Sequence, residues 1–406
     1  MAHRGGADDG GRRAAVVAAT VAVLGVGVAL ALKSWCGVPG APDDLYLRWC
    51  YSDIPPLWFF ERLHEGAVPY LDHPVEYPVL TGLWMWLASL VADTSGQFLA
   101  ATGVLLAVSA AVTGWLLGRE VGLPRALAFA AAPTLLVSGA VNWDLPAVAL
   151  AAAALVAHRR GADAWAGVWA GLGTAAKLWP GLLVPALALG AWRQRGRAGA
   201  LRTAGAAAGA WLVTNVPVAL AAPDGWLEFL RLSSRRPVDW DSLLRVASER
   251  LGLGLGVPTV NVLTGLAFAA GAVALLAHAW RRADPARLHL VALPLVVLFL
   301  LTSKVYSPQF SLWLLPLLVL AWPGWGWFAA FSVADVAVTA TRFPYLANFV
   351  DGAGGGWTVG WFDAALVVRA VVLVALTVVA CRRAYRAPGP HPEPVADVGA
   401  APGAAP

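Results

Sequence analysis

RWCYSDIPPLWFFERLHEGAVPYLDHPVEYP, residues 48–78, is the longest stretch of this chain that mixes polar and apolar residues, and it lies between two hydrophobic runs. Ser52 or Asp53 followed by Pro55 reads as an N-cap with proline in the first turn, and Gly66 reads as the stop. The stretch therefore predicts a short helix. Along it Leu57, Trp58, Phe60 and Leu63 share one side while Glu61, Arg62, His64 and Glu65 face away, the pattern of an amphipathic helix lying on a membrane surface. Asp53 stands at its head. A carboxylate beside a bilayer, flanked by aromatics and followed by an extended Pro-rich segment, is the first candidate for catalysis.

Composition fixes the class around that stretch. Hydrophobic residues make up 59% of the 406 and charged residues 13%, and apolar runs recur along almost the whole length, so this is a polytopic, all-α membrane protein whose first partners are membrane lipids. The formal charge of +5 is not a nucleic-acid footprint, because the basic residues fall in short clusters between apolar runs, where they set topology. Many of the 21 Trp lie near predicted helix ends, where indole sits well at the interface. Abundant Ala, Gly, Val and Arg suggest GC-rich coding and hence a bacterial inner membrane.

Outward from the loop, residues 1–13 read as a cytoplasmic N-terminal segment and Ala14 to Leu32 as an uncleaved first span, which places residues 48–78 outside. Leu80 to Val91 and Phe98 to Leu117 follow, each near the lower length limit for a span. Ala126 to Ser138, about thirteen residues, is too short to cross a core of roughly 30 Å, so it dips in and returns to Asn142 and Asp144. Ala164 to Trp192 has basic clusters on both flanks and is broken by Lys177-Leu178-Trp179-Pro180. The expected solution is two half-helices meeting at Lys177, with irregular backbone lining a cavity. Pro223 to Leu253 reads as a second external loop, Arg342 to Gly360 as a Gly-rich outer loop, and residues 387–406 as a disordered cytoplasmic tail. In all, about ten crossings and two re-entrant segments form one membrane domain, residues 14–380. Cys36 and Cys50 share the first external loop, where a disulfide between them and two free thiols are both open, and Cys381 should stay reduced.

The polar residues Asp53, Glu76, Asn142, Asp144, Lys177, Arg235, Arg236, Lys304 and Gln309 then gather on one side. Charges at the membrane edge cost about 2.5–3.5 kcal/mol each on insertion scales, so their convergence points to a common outer-face cavity. Each has a plainer reading. Asp53 and Asp144 can cap their helices, Lys177 can snorkel, and Arg235 and Arg236 can touch lipid headgroups.

Tyr51-Ser52-Asp53 with Tyr70, Glu76-Tyr77-Pro78-Val79-Leu80, Asn142-x-Asp144, Lys177-Leu-Trp-Pro180, Arg235-Arg236 and Ser303-Lys304-x-x-Ser307-x-Gln309 together resemble the GT-C superfamily of membrane glycosyltransferases. The closest resemblance is to glycosyltransferase family 87, the polyprenyl-phosphate-mannose-dependent mannosyltransferases, and the motif order is similar to that of the first mannosyltransferase of GPI-anchor assembly. The resemblance spans roughly Ala14 to Ala380. It implies transfer of a sugar, with inversion, from a polyprenyl-phosphate-linked donor to an acceptor glycolipid or glycan on the extracytoplasmic face. Mannose is the first choice of sugar.

It also implies that an aspartate of the first external loop, Asp53 here, is the general base. Because Asp53 is followed by Ile54-Pro55, the Asp-x-Asp form of some relatives is absent, and neither a metal nor another cofactor is assigned. Lys177, Arg235, Arg236 and Lys304 are the candidates for binding the donor phosphate, since Arg can grip a phosphate through two hydrogen bonds and Lys acts as a point charge. Glu76, Tyr77, Asn142, Asp144 and Gln309 are candidates for substrate binding. The alternative reading is a transporter or flippase of a lipid-linked or amphipathic solute, for which broken helices and buried charges are also expected.

Overall fold

The structure, a computed structural model, describes residues 3–34, 46–351 and 358–385. Among the described residues it is helical throughout, apart from one isolated bridge between Pro69 and His73. In chain order the helices are α1 (His3–Ser34), α2 (Ile54–Phe60), α3 (Val79–Ser89), α4 (Ser95–Val121), α5 (Leu123–Ala130), α6 (Pro133–Ser138), α7 (Asp144–Arg159) and α8 (Asp163–Ala176). They continue with α9 (Leu183–Ala221), α10 (Pro223–Arg235), α11 (Leu243–Arg250), α12 (Val257–Arg282), α13 (Ala292–Thr302), α14 (Leu314–Ala321), α15 (Trp325–Leu346) and α16 (Val359–Ala384).

Small residues let the long helices touch backbone to backbone. A Cβ on Gly114 would come within 2.7 Å of the Ala18 carbonyl oxygen, and one on Gly118 within 2.6 Å of Ala15 Cα, so α4 lies directly on α1. Gly167 and Gly171 of α8 approach the carbonyls of Thr203 and Ala207 of α9 still more closely, each to 2.2 Å from a built Cβ. In lipid, where apolar surface gives no preference for another helix over an acyl chain, such close packing is a main source of cohesion.

Among the described residues, six helical stretches are long and apolar enough to cross a membrane: Asp9–Ser34, Ser95–Val121, Trp179–Ala221, Val257–Arg282, Pro285–Thr302 and Val359–Ala384. Val79–Ser89, Leu123–Ser138 and Pro308–Ala321 are shorter apolar stretches, so the expected ten or so crossings exceed what helix length supports. At about 1.5 Å per residue, a segment the length of α3 reaches barely half the thickness of a bilayer core.

The broken run around Lys177 is a helical hairpin. α8 ends at Ala176, Lys177 is extended (φ −148°, ψ 141°), and a 3₁₀ turn at Trp179–Leu182 starts the return. That return stops at Gly196, whose φ of 74° and ψ of −174° break α9 into two helices. At the base, Arg195 holds Asp163 through Nε and Nη2 at 2.6–2.9 Å, so both ends of the hairpin meet at one end of the bundle.

Several local readings are corrected. The first-loop helix stops at Phe60, a 3₁₀ turn at Leu63–Glu65 follows, and Gly66 (φ 79°) ends that turn instead of the helix. Its faces also differ from the helical projection, because the chain leaves the helix at Glu61: Phe60 is 73% exposed and Glu61 is buried. Residues 223–253 are largely helical as α10 and α11, and Arg342 belongs to α15 and not to an outer loop. Cys50 is disulfide-bonded and Cys381 is free, while Cys36 and residues 387–406 lie outside the described residues.

The glycine contacts give a test. Gly171→Val drives a side chain into the Ala207 carbonyl, whereas Gly205→Val enters open space. Overpacking costs typically about 1–3 kcal/mol, so the first variant should unfold several degrees earlier in detergent than the second. Equal melting temperatures would refute the backbone contact.

Candidate active site

The first loop is stitched to the turn before α7. Asp53 N–H donates to the Val141 carbonyl at 2.8 Å, and Ser52 Oγ donates to the Ala140 carbonyl at 2.9 Å while accepting from Ile54 N–H at 3.2 Å. Ser52 thus does the capping. The Asp53 side chain makes no cap bond, which leaves its carboxylate for other partners. Tyr51 Oη donates to Oδ1 at 2.6 Å and Asn142 Nδ2 donates to Oδ2 at 2.7 Å. Burial first, and then the neighbouring Asp53, push the Tyr51 phenol well above its ordinary pKa, so it remains a donor at neutral pH.

Asn142 cannot turn round. Its Oδ1 accepts from Lys177 Nζ at 3.0 Å and from Trp143 N–H at 2.6 Å, which leaves Nδ2 to face Asp53 and the Tyr77 hydroxyl at 2.8 Å. Lys177 also lies 3.6 Å from Asp144 Oδ2 and 5.1 Å from the centre of the Tyr77 ring. Asp144 is wholly buried, and its Oδ1 accepts from Trp313 Nε1 at 2.7 Å. Lys177 is therefore charge-compensated within the protein.

Asp53, Glu76, Tyr77, Asn142, Lys177, Arg236, Lys304 and Gln309 line one cavity of about 640 Å³, a size suited to a small molecule or headgroup. Its floor is aromatic: Trp313 stacks on Trp179 at 5.3 Å and on Phe310 at 4.1 Å. Also on the lining, Lys304 Nζ donates to the Arg236 carbonyl at 2.8 Å and to Asn261 Oδ1 at 2.5 Å, which leaves one ammonium proton for a ligand. Burial first, and then the Arg236 charge, lower the Lys304 pKa. The Arg236 guanidinium is exposed and has no carboxylate partner among the described residues. Gln309 lies on the lining and is buried, and its Oε1 accepts no hydrogen bond among the described residues.

Two of the expected residues do not line this cavity. Asp144 stands behind Lys177, and Arg235 is 67% exposed and pairs with Glu228 at 2.9 Å on the outside of α10. Reading the sequence also missed two members. Arg342 is buried against the cavity, with Nε on Asp241 Oδ1 at 2.9 Å and its guanidinium 5.9 Å from the Tyr51 ring. Its signal was the spacing of seven from Asp335, which puts both charges on one face of an apolar helix. Asp239, whose Oδ2 accepts from Ser307 Oγ at 3.3 Å, adds a carboxylate to the lining. No group of three His, Cys, Asp or Glu side chains spaced for a metal occurs among the described residues.

This arrangement sets a carboxylate and a pair of cations on the lining of one cavity floored by aromatics. It can take a proton from one group and hold an anion that departs from another. No curated protein matches the chain. The sequence model of glycosyltransferase family 87 matches residues 76–303, more than half of the chain and a span that takes in Glu76, Asn142, Lys177, Arg236 and Ser303. Family membership replaces the transporter reading with an enzyme: the chain belongs to glycosyltransferase family 87 and is a membrane glycosyltransferase.

Proposed function

We propose that the chain is an inverting mannosyltransferase that moves mannose from a polyprenyl-phosphate donor to an acceptor glycolipid or glycan, at the extracytoplasmic face of a bacterial inner membrane. The observation that carries this reading is the Asp53 carboxylate, released from helix capping and held by Tyr51 and Asn142 in the cavity that Arg236 and Lys304 also line.

The acceptor hydroxyl oxygen attacks the anomeric carbon as the bond from that carbon to the phosphate oxygen breaks. Asp53 takes the hydroxyl proton, and polyprenyl phosphate leaves with the bonding pair. Each Asp53 oxygen accepts one hydrogen bond in the resting site, and a carboxylate oxygen can accept a second. Arg236 and Lys304 stabilise the charge that grows on the departing phosphate. Lys177, already paired with Asn142 and Asp144, acts as a positioning residue for the base. Gln309, on the lining, suits a sugar hydroxyl, and the Trp179–Trp313 stack suits a sugar or prenyl face.

The basic clusters support this side of the membrane. Arg281, Arg282, Arg382 and Arg383 lie at the far ends of α12 and α16 from the cavity, and that end should be cytoplasmic. In intact cells, a cysteine replacing exposed Leu71 should react with an impermeant maleimide. One replacing exposed Arg160 should react only after permeabilisation. The reverse pattern would place the cavity inside.

With purified protein, polyprenyl-phospho-mannose and extracted acceptor lipids, Asp53→Asn should retain donor binding and lose about 10²–10⁴ in turnover. Near-full turnover would remove Asp53 from the base role. Arg236→Gln should mainly raise the donor KM, about tenfold or more for a lost charge-assisted contact, while Arg235→Gln should leave it unchanged. A donor KM that responds equally to both would separate the phosphate from this part of the lining.

A further inference from the structure

At the opposite end of the bundle lies a second cavity, of about 460 Å³. α7 links the two ends, since it starts beside Asn142 and finishes at Arg159, about 24 Å away for sixteen residues. Arg125, Arg159, Arg287, Arg383, His289 and Trp322 line this cavity. They come from five separate parts of the chain, and the bundle brings four guanidinium groups around one hollow.

Internal partners use only some of those donors. Arg159 Nε is 2.6 Å from Glu120 Oε1, and Arg160 shares the same carboxylate at 3.3 Å. Arg287 lies 3.5 Å from Asp284 and donates to the Arg383 carbonyl at 3.3 Å. Arg383 caps the end of α14, donating to the carbonyls of Ala321 and Trp322. Arg125 has no carboxylate partner among the described residues, and its guanidinium rests 5.7 Å from the centre of the Trp322 ring. Glu120, which Arg160 shares, and Asp284 therefore leave Arg125, Arg159 and Arg287 with an excess of positive charge. His289 is 6% exposed, and Arg159 Nη1 lies 3.0 Å from its Nε2, so the imidazole accepts there and aims the guanidinium. Trp322 and the exposed Trp325 form the kind of indole pair that sits at headgroup depth.

We infer that this cavity is an anion site for a phosphate-bearing headgroup of a membrane lipid, separate from the glycosyl-transfer site and held by Arg125 and Arg287 with Arg159 behind them. The inference rests on the cavity's own charges and not on the identity of donor or acceptor. Arginine forks suit phosphate oxygens, and a hollow beside apolar helices at the membrane edge favours a tethered phosphate over a free one.

Native mass spectrometry tests this on the full chain released from detergent with phosphatidylglycerol, phosphatidylcholine or inorganic phosphate. Wild type should retain phosphatidylglycerol in preference to phosphatidylcholine. Arg125→Gln with Arg287→Gln should weaken that retention about tenfold or more, and the matching double lysine variant should recover part of it. Binding of inorganic phosphate at least as tight as that of phosphatidylglycerol, lost in the same double variant, would keep the anion site and make its occupant soluble. Equal retention by wild type and the double glutamine variant would overturn the proposal. So would an equal loss in Arg202→Gln, an exposed cation outside the cavity.

Discussion

A lysine carried into an apolar bundle must find oxygen, and the fold around Lys177 is organised by that requirement. Insertion of an unpaired ammonium at depth costs several kcal/mol, so the chain cannot leave this side chain in hydrocarbon. The hairpin of α8 and α9 brings Lys177 to Asn142 Oδ1 and Asp144 Oδ2, and the Tyr77 ring covers it. The chain break needed at that point is itself satisfied, since Thr81 Oγ1 donates to the Ala176 carbonyl freed at the end of α8. One consequence reaches the chemistry directly. With its oxygen committed to Lys177, Asn142 can offer only its amide hydrogens to Asp53.

The same constraint explains why small residues matter so much in this sequence. Lys177 reaches Asn142 because Gly167 and Gly171 let α8 lie against the Thr203 and Ala207 carbonyls of α9, and Gly173 leaves room for Pro180. On the other side of the loop, Tyr70 donates to the carbonyls of Tyr77 and Pro78, and Gly225 of α10 fits against the Tyr70 carbonyl. The loop is thus clamped from three directions: by α3, by α10 and by the turn that carries Asn142. Such clamping is what a base needs if its oxygens are to keep one geometry while substrate changes.

Much of this was legible in the sequence, for physical reasons. The break at Lys177 shows because a charge, a tryptophan and a proline interrupt an apolar run whose two flanks are both basic. Asp53, Glu76, Asn142 and Lys304 show because polar residues stand out against an apolar background. What could not be read depends on where short elements stop. Phe60 and Glu61 exchange exposure because α2 ends between them, and helical spacing says nothing past its own end. Arg342 was hidden because its helix runs on beyond Ala340 to Leu346, held by the Asp241 carboxylate, a partner about a hundred residues away. The number of crossings is not fixed by the sequence, because a run such as Val79–Ser89 reads as a short span when its burial against other helices is unknown.

The position of Arg342 also bears on how charge is balanced across the cavity. Asp53 faces Tyr51 and Asn142, both neutral; of the cations near it, Lys177 and Arg342 are each committed to a buried carboxylate, Asp144 and Asp241, and buried Lys33 donates to the Trp49 carbonyl. By contrast, Arg236 has no carboxylate partner among the described residues, and Lys304 is held by a carbonyl and an amide oxygen, so their charge is not cancelled locally. In the proposed reaction, cancelling the charge of Lys177 and Arg342 beside the base while keeping that of Arg236 and Lys304 for the phosphate separates two tasks that would otherwise oppose each other. A free cation against Asp53 would make the carboxylate a weaker proton acceptor, whereas cancelled cations at Arg236 and Lys304 would give a departing phosphate nothing to hold it. The partners of each cation, more than the number of cations, give the two parts of this lining their different chemistry.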